Sequence, residues 1–282
     1  MKKTAFILLF LLATLSLAFG SEERDANFVR HAAQVPTKEL NAIALQSHGR
    51  VKPLQTHARE TILYLTGKYS MWGLDSVQWY VGLPTYRDIE KVPFINIRDP
   101  QLRVKLGFSK QDRFYSLAQL EGSGLEAMAR PVMEKMSQNE RNATTDEKNI
   151  AELMQQVWVA KSIIAGEHFL SAVAFEEGES SPMVTKAKDL LTAVAQEKAD
   201  LTIQAGHDLR DLSKAHSQPT LISLEVFYNA LRPFFWAGLV YFLTGIALVV
   251  GMGSKVLTKK RLFILLAVPF ALHAGGFILR VW

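Results

Sequence analysis

The sequence predicts a mainly α-helical protein, in which an exported helical domain with a long antiparallel helical hairpin precedes a two-helix transmembrane hairpin. Three observations predict this architecture: a secretory signal at the start, two periodic apolar runs in the second half, and two uncharged apolar runs at the end. The 282 residues leave room for a membrane anchor and for one domain that buries its own core.

Residues 1–20 have the pattern of a cleaved signal peptide. Lys2 and Lys3 precede an uncharged apolar segment, and the small residues Ala18 and Gly20 lie just before Ser21, as a signal peptidase requires. We therefore expect the residues that follow to be exported.

The basic charge of the chain is concentrated at its two ends. Although the formal net charge is +5, seven cations and no acidic residue lie in residues 1–20 and 254–282, which leaves residues 21–232 at −2. The exported domain is therefore not basic, and nucleic acid is disfavoured as a partner. The chain has no cysteine, which excludes disulfides, a thiol nucleophile and covalent c-type haem attachment to this chain.

Residues 21–143 are predicted to form a mixed, mostly helical extracytoplasmic region. Its first part, residues 21–46, shows little periodicity and is predicted to be a lead-in. The motif GRVKPLQTHARE follows at residues 49–60. Gly49 supplies a turn and Pro53 favours an extended conformation in the residue before it, so the motif predicts an extended segment that feeds a helix.

Residues 144–218 are predicted to form the long helical hairpin. Thr144 and Glu147 make a capping box in front of the first periodic run. Apolar residues recur every three or four positions in two runs of about 30 residues, each about 45 Å long as a helix. Gly178 to Pro182 separates the runs and is predicted to be the turn.

The last part of the chain is predicted to enter and cross a membrane. Residues 219–232 form an apolar, aromatic juxtamembrane segment. Within residues 233–282, the uncharged runs 234–253 and 262–279 are each long enough to cross about 30 Å of hydrocarbon. The basic loop between them belongs on the cytoplasmic side, so the main domain and the C-terminus are expected on the periplasmic side of a bacterial inner membrane.

No established catalytic signature is present in the sequence. Gly178 to Pro182 begins like a nucleophile elbow, but Pro182 occupies the place of the second glycine. No metalloprotease, P-loop or dinucleotide-binding motif occurs. We therefore expect the chain to have no catalytic activity on its own.

The histidines differ in their surroundings. His48 and His57 bracket the cations Arg50 and Lys52, and Arg59 follows. This cluster is either an electropositive surface for carboxylates, such as haem propionates or an acidic partner, or a capped helix start with exposed cations. Four other histidines lie in polar or amphipathic contexts and are predicted to be at the surface: His31, His168, His207 and His216.

His273 lies inside the second apolar run at the end of the chain. A polar group in a bilayer is costly and usually faces other helices. Two interpretations follow for its imidazole: a hydrogen bond to a neighbouring helix, or an axial bond to haem iron. Gly275 and Gly276 would permit close helix packing at this depth.

Two stretches of the chain resemble a known family. GRVKPLQTHARE resembles the GRIKPLDTxARE stretch of the system II, or Ccs/Res-type, cytochrome c biogenesis proteins, and residues 99–120 resemble the segment that follows it. Residues 273–282 are similar to the H-T-x-G-L-x-x-R-W-Y membrane motif of that family. His48 and Gln55 stand where the family usually has Asp, and the chain ends before the tryptophan-rich WWD segment.

The resemblance implies an accessory or structural membrane subunit of a cytochrome c maturation complex. A separate CcsA-like membrane protein would carry the WWD segment and handle haem, and apocytochrome c would be a further partner. Six residues are then expected to contact haem or the partner: Arg50, Lys52, His57, Arg59, His273 and Arg280. His273 is also the candidate ligand for haem iron. The alternative is a membrane-anchored scaffold or sensor that binds another exported protein without haem.

Overall fold

A computed structural model describes residues 25–139, 141, 143–175, 181–254 and 259–281. The described chain is mainly helical, as predicted. The predicted signal peptide at residues 1–20 lies outside the described residues, as does Lys255 of the basic loop.

The described residues form fourteen α-helices and four short strands, besides short 3-10 turns. The helices are α1 (Ala26–Ala32), α2 (Thr37–Leu40), α3 (Leu54–Thr66), α4 (Ser76–Gly82), α5 (Pro100–Lys105), α6 (Leu117–Gly122), α7 (Leu125–Asn139), α8 (Thr145–Ile164), α9 (Glu167–Val173), α10 (Pro182–Ala195), α11 (Ala199–Ser213), α12 (Pro219–Leu231), α13 (Pro233–Ser254) and α14 (Lys259–Val281). The strands are β1 (Ala44–Ser47), β2 (Arg50–Pro53), β3 (Ile95–Asn96) and β4 (Phe114–Tyr115).

The GRVKPLQTHARE motif forms the second strand of a β-hairpin and the helix after it. β1 and β2 are antiparallel, with Ser47 opposite Arg50. The two turn residues have positive φ, 54° at His48 and 74° at Gly49, as a type I′ turn requires. β2 continues directly into α3, which confirms the predicted extended segment that feeds a helix.

The prediction of a lead-in for residues 21–46 is wrong for the residues that the structure describes, because residues 25–46 belong to the core. Phe28 and Leu40 are fully buried. The carboxylate of Asp25 caps α1 by accepting from the backbone N–H groups of Asn27 and Phe28. Helices of seven and four residues contain too few turns to show a periodic pattern in the sequence.

The prediction of a two-helix hairpin for residues 144–218 is also wrong, since the described residues of this stretch form the four helices α8 to α11. The capping box is confirmed, because Thr144 Oγ1 accepts from the Glu147 N–H at 3.3 Å and the Glu147 carboxylate accepts from the Thr144 N–H at 2.8 Å. α8 ends before Gly166, whose φ of 76° is left-handed, and Glu197 with φ 54° separates α10 from α11. Apolar residues recur on both sides of each break, so the periodic pattern hides the breaks.

The C-terminal helices are the most exposed apolar part of the fold. Arg232, with φ 48°, separates α12 from α13. The start of α13 packs against the end of α14, because a Cβ on Gly276 would lie 3.2 Å from the Pro233 Cβ. Among the described residues, one helical stretch, Pro219–Val249, is long and apolar enough to cross a membrane. Only 17% of its most apolar window is buried, unlike a core helix.

Candidate functional site

A cleft of about 960 Å³ separates the GRVKPLQTHARE motif from the helix that leads into the apolar stretch. We call it the Arg59 cleft. One wall comes from β2 and α3, and the other from α12 and the start of α13. Its size lies at the upper end of the range of about 300–1,000 Å³ that is typical of small-molecule sites.

The two walls of the Arg59 cleft are joined by hydrogen bonds to Glu225 on α12. The carboxylate of Glu225 accepts from Arg50 Nη2 at 2.5 Å and from Thr56 Oγ1 at 2.7 Å. Asn229 Nδ2 donates to the same Thr56 hydroxyl at 2.9 Å. The GRVKPLQTHARE motif is therefore bound to α12 of the same chain by these hydrogen bonds.

Arg59 and Arg232 supply the cationic character of the cleft. The Arg59 guanidinium lies over the Tyr69 ring, 4.2 Å from its centre, and donates to the Asn229 side-chain oxygen at 3.5 Å. Arg232 is exposed at the junction of α12 and α13 and also lines the cleft. Within the described chain, neither guanidinium has an ion-pair partner.

Neither Lys52 nor His57 lines the cleft. Lys52 is buried and donates to the carboxylate of Glu60. His57 is also buried, with 4% of its surface exposed. The predicted electropositive surface is thus reduced to the arginines of the motif, and Arg50, whose side chain is 65% exposed, already pairs with Glu225.

His57 belongs to a buried hydrogen-bonded trio with Tyr80 and His168. The Tyr80 hydroxyl lies 2.9 Å from His57 Nε2 and 2.7 Å from His168 Nδ1, and the two imidazoles stack with centres 5.0 Å apart. A phenol hydroxyl donates one hydrogen bond, so one imidazole accepts from it while the other donates to its oxygen.

The environment of the trio favours uncharged side chains. Burial lowers the pKa of His57 to about 3, with smaller electrostatic contributions from His168 and Lys52. Burial also lowers the pKa of His168 and raises that of Tyr80 well above its ordinary value. Both imidazoles are therefore neutral at physiological pH.

The surface prediction is wrong for two of the four histidines. His168 is half-buried in the trio, and His31 is buried with its Nε2 2.9 Å from the Thr85 hydroxyl. His207 is exposed on α11, as predicted.

Nothing in the sequence indicated that Tyr80 belongs to the site. No spacing pattern could have found the trio, because its members come from three separate helices, α3, α4 and α9.

His273 lies in an aromatic environment between α13 and α14. Its ring centre is 5.4 Å from that of Phe234, 6.1 Å from Tyr241 and 5.2 Å from Phe277, on which it stacks. Phe234 also lines the Arg59 cleft, so it lies between the cleft and His273. Arg280 falls within α14, and its side chain lies outside the described residues.

The residues near His273 fit haem only in part. An imidazole with aromatic neighbours suits one axial ligand of a haem iron. Among the described residues, no group of three or more histidines or carboxylates is arranged to hold a metal ion.

No protein-family model and no curated protein sequence matches this chain.

Proposed function

We propose that this chain is an accessory membrane subunit of a cytochrome c maturation complex, which docks against a CcsA-like haem-handling protein. One observation supports the proposal most directly. The two stretches that resemble the family, residues 49–60 and 273–282, are far apart in sequence, yet Phe234 lies between them in the fold, lining the Arg59 cleft and contacting His273.

In this proposal, the exported domain sets the position of the C-terminal helices. Arg50 and Thr56 hold α12 through Glu225, and α12 leads directly into α13. A docking subunit needs such a rigid link, because a loose tether would leave the orientation of the domain undefined. The exposed apolar side chains of α13 and α14 would meet lipid and the helices of the partner.

His273 is the residue of this chain that would contact haem. Its aromatic neighbours on α13 and α14 fix the position of the ring, and the partner would supply the rest of the pocket. Haem would supply the porphyrin, whose vinyl substituents form thioether bonds with apocytochrome c. Arg59 would support a propionate or an acidic surface of the partner through its guanidinium.

The proposal predicts that His273→Ala lowers the level of holocytochrome c at least tenfold in cells that depend on this chain, with the protein itself present at the normal level. The physical reason is the loss of the only imidazole described beside the aromatic cluster of α13 and α14. The measurement is haem staining of membrane and soluble fractions, alongside immunoblotting of the chain.

His207→Ala is the matched control, because His207 is exposed on α11, away from the trio and from α14. It is expected to leave holocytochrome c unchanged. If His273→Ala, Lys52→Ala and His57→Ala all give normal holocytochrome c, the predicted contact residues are wrong.

A further inference from the structure

We infer that the Arg59 cleft binds the phosphate headgroup of an anionic phospholipid. This inference requires α13 to enter a membrane and does not need a role in cytochrome c maturation, but a lipid phosphate and a haem propionate would compete for Arg59. The argument uses the charge inside the cleft, its position along the chain and the character of its walls.

The charges that line the cleft leave an excess of positive charge for a ligand. Both lining carboxylates already have cationic partners, since Glu225 pairs with Arg50 and Glu60 pairs with Lys52. Arg59 has only neutral contacts, the Asn229 oxygen and the Tyr69 ring. Arg232 has no ion-pair partner in the described chain. Two guanidinium groups without carboxylate partners favour a phosphate, whose oxygens accept paired N–H donors.

The position of the cleft matches the headgroup region of a bilayer. Arg232 directly precedes α13, and the next exposed side chains are Phe235 (60%) and Trp236 (50%). Tryptophan, as at position 236, is enriched where a helix leaves water and enters lipid. A lipid headgroup bound at Arg232 would therefore lie at the same depth as the other headgroups of the bilayer.

The walls of the cleft suit an amphipathic ligand better than a free anion. Polar and apolar residues share the lining, with the apolar contribution from Leu63, Leu221, Leu224, Phe234 and Phe235. Phe235 continues onto the exposed apolar surface of α13, where Phe242 is 65% exposed. An acyl chain could lie along this apolar surface while the phosphate contacts the arginines. An inorganic anion has no acyl chain and would gain nothing from the surface.

The test measures the binding of short-chain lipids to the full-length chain in a neutral detergent. Dioctanoyl phosphatidylglycerol is titrated and compared with dioctanoyl phosphatidylcholine, with the thermal unfolding midpoint as the readout, because a ligand of the folded state raises it. We expect the anionic lipid to bind at least tenfold more tightly. The double variant R59Q/R232Q is expected to lose this preference, and R232Q alone to weaken it.

Arg130→Gln is the matched control, because Arg130 is an exposed arginine on α7 whose nearest carboxylate, Glu126, is 3.6 Å away. It is expected to keep the preference. The inference is overturned if the two lipids bind equally, if R59Q/R232Q keeps the preference, or if inorganic phosphate binds as tightly as phosphatidylglycerol. The inference would also be overturned if haemin displaced the anionic lipid and bound more tightly than the lipid does, because haem would then be the ligand of the cleft.

Discussion

At the scale of single residues, His57 shows how a motif that looks basic in sequence can bury an uncharged side chain. The ring is buried, hydrogen-bonded to Tyr80 and stacked on His168. Burial lowers its pKa from 6.5 to about 3. The unfolded chain therefore binds a proton at pH 5 that the folded chain does not, so acid favours unfolding.

The predicted consequence is a loss of stability as the pH falls. His57 contributes its full stability above pH 6.5, and the contribution decreases as the pH falls towards 3. Between pH 8 and pH 5 the expected loss from this residue is about 2 kcal/mol. His168 adds to the loss in the same direction, because its pKa is also lowered.

Thermal unfolding of the full-length chain in detergent, recorded from pH 8 to pH 5, measures this effect. The variant His57→Gln keeps a hydrogen-bond donor for Tyr80 but cannot be protonated, so its unfolding midpoint should depend less on pH. His207→Gln should behave like the unchanged chain. Identical pH profiles for His57→Gln and the unchanged chain would show that His57 is not the group that titrates.

At the scale of elements, local signals in the sequence predicted helix starts better than helix ends. The capping box at Thr144 and the turn at Gly49 were readable because each depends on neighbouring residues. The breaks at Gly166 and Glu197 were not, because the apolar pattern continues past them and Glu197 has no intrinsic preference for positive φ. The short helices α1 and α2 were missed because tertiary packing, not periodicity, stabilises them.

The contact between α3 and α12 gives a prediction at this scale. Glu225→Ala removes the acceptor shared by Arg50 and Thr56. For a partly exposed ion pair we expect a cost of about 1 kcal/mol, which makes the open state of α12 roughly fivefold more populated. Hydrogen–deuterium exchange of the backbone amides of Pro219–Leu231 measures the opening.

Glu126→Ala is the control for this experiment, because Glu126 lies in an exposed i,i+4 pair on α7. It should leave exchange in α12 unchanged. Unchanged exchange of α12 in Glu225→Ala would mean that the apolar contacts of the helix, rather than Glu225, hold it against the motif.

At the scale of the whole molecule, the fold brings the GRVKPLQTHARE motif and the start of α13 together around the Arg59 cleft. The structure separates the contact residues that the sequence predicted into three environments. Arg50 and Arg59 line the cleft, Lys52 and His57 are buried, and His273 lies behind Phe234. This separation depends on long-range packing, so no local pattern in the motif could have predicted it.

The same arrangement would serve both functional alternatives, a subunit of a cytochrome c maturation complex and a scaffold without haem. A scaffold without haem would need the same rigid link between domain and membrane helices. The two differ in what α13 and α14 contact, and His273 is the residue that distinguishes them, because only the haem-handling alternative requires an imidazole there.

The most direct test is purification of the tagged full-length chain in mild detergent from its native membrane, followed by absorbance spectroscopy and mass spectrometry. We expect a Soret band near that of protein-bound haem and a co-purified membrane protein with a tryptophan-rich WWD segment. His273→Ala should lose the Soret band but keep the partner, and His207→Ala should keep both. A preparation from the unchanged chain with neither haem nor such a partner would contradict the proposed role in cytochrome c maturation.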